Sequence, residues 1–95
     1  MNLGVYVTVY EHRAGLDVRV WPSYQAALVH RDNLALEHWQ EEFFWEPMPT
    51  TEFEIGEAYF KLTGNRVKNP EFFTIHALSL DLDMQLSVKI SEEEN

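Results

Sequence analysis

Residues 4–23, GVYVTVYEHRAGLDVRVWPS, decide how the chain reads. Val5, Val7 and Val9 alternate with Tyr6, Thr8 and Tyr10, and Leu16, Val18 and Val20 alternate with Asp17, Arg19 and Trp21. Two period-two runs around Gly15 predict a β-hairpin from Gly4 to Trp21. With both valine rows on one core, Val9 is expected opposite Leu16 and Val7 opposite Val18, across a loop Glu11-His12-Arg13-Ala14. Tyr6, Tyr10, Arg19 and Trp21 then share the other face, with Tyr6 opposite Arg19, as cross-strand packing or as a contact surface. Trp21-Pro22 ends the strand, because the residue before proline is held extended, and Ser23 is a good N-cap.

The next helix is expected from about Tyr24 to about Phe44. Tyr24, Leu28, Val29, Ala35, Leu36, Trp39 and Phe43 share one arc of its wheel. Asp32 falls inside that arc, where a carboxylate needs an Arg, a Tyr hydroxyl or an indole N–H, or else serves a partner. Glu46-Pro47-Met48-Pro49 breaks the chain. Thr51-Glu52-Phe53-Glu54 opens a second helix as a capping box, and Gly64-Asn65 ends it. Ile55, Ala58, Tyr59 and Leu62 form its core side; Phe53 and Phe60 project from the other.

From Phe72 to Ile90 alternation returns with a change of parity. Phe73, Ile75 and Ala77 are odd, whereas Leu78, Leu80, Leu82, Met84, Leu86, Val88 and Ile90 are even. A β-bulge, a turn at Asp81-Leu82-Asp83, or one long overhanging strand would each account for this, and strand lengths favour a turn or bulge. The fold class is therefore α+β: an antiparallel sheet of three to four strands, ordered hairpin, helix, helix, strand or hairpin, with two helices on one face. Residues 1–95 read as a single domain with a frayed acidic tail at 91–95.

Composition bounds the function. The 95 residues carry 7 Lys+Arg against 16 Asp+Glu, for a net charge of −9, with 45 % hydrophobic residues and no cysteine. Such a chain folds without disulfides or thiolate metal sites, and its field disfavours nucleic acid and anionic membranes while favouring basic protein surfaces. With no apolar segment of signal or span length at the start, it reads as soluble and cytoplasmic. The four histidines lack metal-ligand spacing, and no nucleophile elbow or phosphate-cradling glycine loop occurs, so neither an enzyme nor a cofactor is expected.

The charge is localised. Between Asp32 and Phe60 lie eight acids and no Lys or Arg. Asp32, Glu37, Glu41, Glu42 and Glu46, bracketed by Trp39, Phe43, Phe44 and Trp45, form the expected partner-binding set, with Trp39 and Trp45 as anchors. A solvated surface is the plain alternative. The second candidate surface is a homodimer edge at Leu78, Leu80, Leu82, Met84 and Leu86.

The opening VYVTVYEHRAGLDVRVWPS and the Ala/Leu-rich helix after it resemble small uncharacterised bacterial and phage proteins over about the first half of the chain. The short, acidic, cysteine-free α+β profile is similar to that of phage anti-CRISPR and other DNA-mimic inhibitors. That resemblance implies a non-enzymatic inhibitor whose acids occupy a basic nucleic-acid-binding groove. The alternative is an assembly protein that homodimerises through its C-terminal β edge.

Overall fold

The computed structural model describes residues 2–81 and 87–91, with side chains described for residues 3–79. Its elements are β1 (Asn2–His12), β2 (Gly15–Trp21), α1 (Tyr24–Glu42), α2 (Glu52–Gly64), β3 (Phe72–Asp81) and β4 (Ser87–Ser91). The four strands form one antiparallel sheet in the order β2-β1-β3-β4. The α+β architecture is as expected from the sequence.

The hairpin register differs from the expected one by two residues. Val9 pairs with Val18, Val7 with Val20 and Tyr6 with Trp21, which leaves a two-residue loop, Arg13-Ala14, between His12 and Gly15. Gly15 takes φ +131°, a conformation that residues with a Cβ rarely adopt, so the reversal is concentrated there. A shift of two preserves which side chains share a face, and hydrophobic alternation alone cannot tell the two registers apart.

The buried face is also the opposite of the expected one. Thr8, Tyr10 and Ile75 are buried, whereas Leu16, Val18 and Val20 are each about 60 % exposed. The helices therefore cover the Tyr/Thr row of β1, and the valine rows face outward. Trp21 lies on the covered side: its Nε1–H donates to Thr8 Oγ1 at 3.0 Å and its ring stacks on His30 of α1. Aromatic and hydroxyl side chains win this face because their rings supply area and their polar tips find partners.

Both helix starts form as the sequence indicates. Ser23 Oγ accepts from Ala26 N, and Thr51 Oγ1 accepts from Glu54 N while donating to Glu54 Oε1. The core seam is rotated relative to the expected arcs. Val29 and Leu36 are exposed; α1 buries Asp32, Ala35 and Trp39 from the expected arc and adds Ala27 and Arg31 from outside it, and α2 buries Ile55 and Tyr59 as expected together with Gly56 and Thr63, while Leu62 is exposed. Ala35, Trp39, Phe43, Ile55 and Tyr59 form the interhelical cluster. Phe60 turns inward onto Tyr10, Tyr59 and Phe73, while Phe53 stays half exposed under the Arg31 guanidinium.

The parity change near Ala77 and Leu78 is not a bulge. Pairing of β3 with β1 runs unbroken from Phe72 opposite Glu11 to Asp81 opposite Asn2. Phe73 and Ile75 lie on the helix side and Leu78 on the other, so the flip marks a change in which face carries the apolar residues. Leu78 pairs with Ile90, Leu80 with Val88 and Asp81 with Ser87, so the stretch holds two antiparallel strands and not a single long one. The expected turn at Asp81-Leu82-Asp83 is excluded at Asp81, which is still paired; Leu82, Met84 and Leu86 lie outside the described residues. Because β3 sits between β1 and β4, it is an inner strand. The expected dimer edge at Leu78 and Leu80 is therefore not an edge at all.

Candidate functional site

Strand pairing assembles one broad surface that no single segment displays. On the side of the sheet away from the helices, the register places Val20, Val7 and His76 in one row and Val18, Val9 and Thr74 in the next. Leu16, Glu11 and Phe72 end the face at one side; Val5 with Leu78, and then Leu3, continue it at the other. Leu3, Leu16, Val18, Val20 and Phe72 are all exposed. Val5, paired with Leu78 of β3 beyond the end of the β1–β2 ladder, is 8 % exposed, so the open part of the face begins at Val7. Among the described residues Glu11 is the one acid on this face, and it lies near the hairpin end. A contiguous aliphatic face of this kind marks an interaction site in a soluble protein, where isolated exposed valines would be ordinary.

The acidic set expected as a partner surface separates into structural and exposed members. Asp32 is buried, and its Oδ1 accepts from Arg31 Nε at 3.0 Å. Burial raises the Asp32 carboxyl above its ordinary value against the opposing pull of the Arg31 hydrogen bond and charge. Arg31 also reaches Glu57 Oε2 at 3.1 Å and the Phe53 carbonyl, tying α1 to α2. Trp39 is 2 % exposed and donates its indole N–H to the Glu46 carbonyl, so it is a core residue and not an anchor for a partner. Glu42 accepts from Arg66 at 2.6 Å. Glu37, Glu41 and Glu46 remain exposed, beside exposed Phe44 and Trp45 at the end of α1.

A cleft of about 690 Å³ opens between the β1–β2 turn, α1 and the α2–β3 connection, lined among others by Tyr10, His38, Glu42, Tyr59, Arg66 and Glu71. Several of its polar side chains engage one another, although Arg66 Nε is buried without a hydrogen-bond partner among the described residues. Tyr10 and Tyr59 donate their hydroxyls to the same oxygen, Glu71 Oε1, at 2.7 and 2.9 Å, and Arg66 bridges Glu42 and Glu71. Burial, reinforced by the Glu71 carboxylate, pushes both phenols far above their ordinary range. For Arg66, burial opposes the charge, but the hydrogen bond and charge of Glu42 outweigh it and raise the guanidinium. Tyr10 and Glu71 are 61 positions apart, and Glu71 follows a polar loop. Nothing local in the sequence marks Glu71 as the acceptor for two buried phenols.

Elsewhere, His12 Nε2 lies 2.9 Å from Asp17 Oδ2 across the hairpin turn. Among the described residues no group of three or more His, Asp or Glu side chains gathers as a metal site would require, and no helix is long and apolar enough to cross a membrane.

Comparison with protein-family models, with curated proteins and with solved structures finds no match to this chain, so the functional argument rests on its own surfaces.

Proposed function

We propose that the chain is a non-enzymatic protein-binding module whose contact surface is the open aliphatic face of its sheet. The observation that carries this reading is the outward-facing row of Leu16, Val18 and Val20 on β2, continuous through the register with Val7 and Val9 of β1. Leaving several large aliphatic side chains in water forgoes about 1.5–3 kcal/mol each relative to full burial, a cost that a docked partner removes. The charge of −9 biases the choice of partner against nucleic acid and anionic lipid. The cleft fits a structural role, because Tyr10, Tyr59 and Arg66 are engaged by Glu71 and Glu42. To test the face, immobilised wild type and a folded Val18→Lys/Val20→Lys variant are compared for the proteins they retain, added copies of the chain itself included. Retention by the wild type that the variant loses supports the face as a contact surface; retention that is equal in both, or none in either, contradicts it.

A second reading is favoured by Phe44 and Trp45, exposed between exposed Glu41 and Glu46. That tip would dock on a basic protein surface, in the manner of an anti-CRISPR or DNA-mimic inhibitor from a phage or mobile element. Salt-sensitive binding to a basic partner, lost on Glu→Gln changes at Glu37, Glu41 and Glu46, is the test of it.

A further inference from the structure

We infer that the occupant of the open sheet face is a second copy of this chain, packed face to face in a four-layer helix–sheet–sheet–helix sandwich; this rests on the proposed reading of that face as a protein-contact surface.

Strands of 11, 7 and 10 residues, at about 3.3 Å per residue and about 4.8 Å spacing, present roughly 450 Å² in projection, and side-chain relief raises the accessible area to roughly 600 Å² or more. Two such faces remove roughly 1,200 Å² in total, where stable specific interfaces begin.

The net charge of −9 works against self-association, because two copies of the chain repel each other through the same field, so a dimer must keep its acids apart. Back-to-back sheets minimise that repulsion. Both helix layers, with exposed Glu37, Glu41, Glu52 and Glu54, lie on the outer surfaces, and the described part of the joined faces contributes only Glu11.

Rows of β-branched valines on a pleated sheet interdigitate with a like surface at about 10 Å between sheets, with strands of the two sheets about 30° apart. Face-to-face contact of identical sheets is an isologous interface with a two-fold axis in its plane. An axis along the strands would bring the two Glu11 residues to the same end. An axis across the strands near Val7 separates them to opposite ends, each at the rim, and is the arrangement the charges favour.

The test is sedimentation equilibrium of the whole chain at tens of micromolar, beside Val18→Lys/Val20→Lys and the milder Val18→Thr/Val20→Thr, with circular dichroism to establish folding. The wild type is expected as a dimer. The lysine pair should be a folded monomer, and the threonine pair should weaken dimerisation by tenfold or more; the threonine pair stands in if the lysine pair does not fold. A monomeric wild type, or a dimer that folded variants leave intact, overturns the inference. A companion arm exposes immobilised wild type and the variants to a cell lysate. A protein held by a monomeric wild type and lost from the variants overturns the second copy while keeping the face as a contact surface; a monomer that retains nothing at the face removes both.

Discussion

Glu71→Ala is the substitution that most directly asks whether the polar cleft is a fastening of the fold. Glu71 Oε1 accepts the hydroxyls of Tyr10 and Tyr59 at 2.7 and 2.9 Å, and those residues are 7 % and 0 % exposed. Removing the carboxylate leaves two buried donors unpaired at about 1–3 kcal/mol each, so a loss of about 2–6 kcal/mol is expected. A domain of this size loses about 4–8 °C of Tm per kcal/mol, which makes the shift at least about 8 °C. Glu71→Gln keeps an acceptor oxygen and should cost less than half as much. The assay is urea unfolding followed by circular dichroism, in the wild-type background and in Tyr10→Phe/Tyr59→Phe, where no phenol is left to orphan. In that background Glu71→Ala should cost under about 1 kcal/mol, the remainder being coupling energy. An equal cost in both backgrounds, or a wild-type cost under about 0.5 kcal/mol, would refute the reasoning and reopen the cleft as a site reserved for a ligand.

Further outcomes follow from the same structure. Gly56→Ala should destabilise by about 1–3 kcal/mol by urea unfolding, because its methyl would overlap Asp32 Oδ1 and lie 2.8 Å from Arg31 Nε, with the carboxylate already fixed by that guanidinium. Arg31→Met should cost about 3–5 kcal/mol by stranding Asp32, whereas Glu37→Gln, Glu41→Gln and Glu46→Gln should each stay within about 0.5 kcal/mol; equal effects across the four would contradict the division of the acids into structural and exposed members. Burial lowers the His30 imidazole below its ordinary 6.5, with the Arg19 charge adding to the effect. The unfolded chain therefore binds the proton first, and this residue's contribution to stability is full above about 6.5 and is lost as pH falls toward the folded value. The urea midpoint should decline over that window, and His30→Gln should flatten the decline.

What the sequence made legible and what it concealed have separate physical causes. Both helices and both N-caps are local, set by residues within four positions of one another, and Ser23 and Thr51 cap as their chemistry dictates; the hairpin shows in the alternation on either side of Gly15, though its register does not. The direction of the sheet's buried face is not local. β1 is a valine row on one side and Tyr6, Thr8 and Tyr10 on the other, and either can pack; the choice fell to the side whose polar tips reach Trp21 and Glu71. Period-two alternation also leaves registers that differ by two degenerate, so Gly15 set the pairing through its positive φ. Asp32 was visible as an anomaly and its cation lay one residue away, but only the close approach of α2 at Gly56 makes Arg31 and Asp32 buried. The wheel that placed Trp39 on an apolar arc already contained the reason it is core, and the nearby acids drew it into the partner set. The open face was hidden because its rows lie on strands far apart in the chain, and each row alone looked like an ordinary core face.

The central claim is that Val18 and Val20 meet the same valines' neighbourhood on a second copy. An isotope-filtered NOE experiment on an equal mixture of labelled and unlabelled chain reads that contact directly. The account predicts inter-chain cross-peaks from the Val7, Val18 and Val20 methyls and none from Phe44 or Trp45. Inter-chain peaks confined to the helix layer, or none at all at a concentration of tens of micromolar, would contradict it.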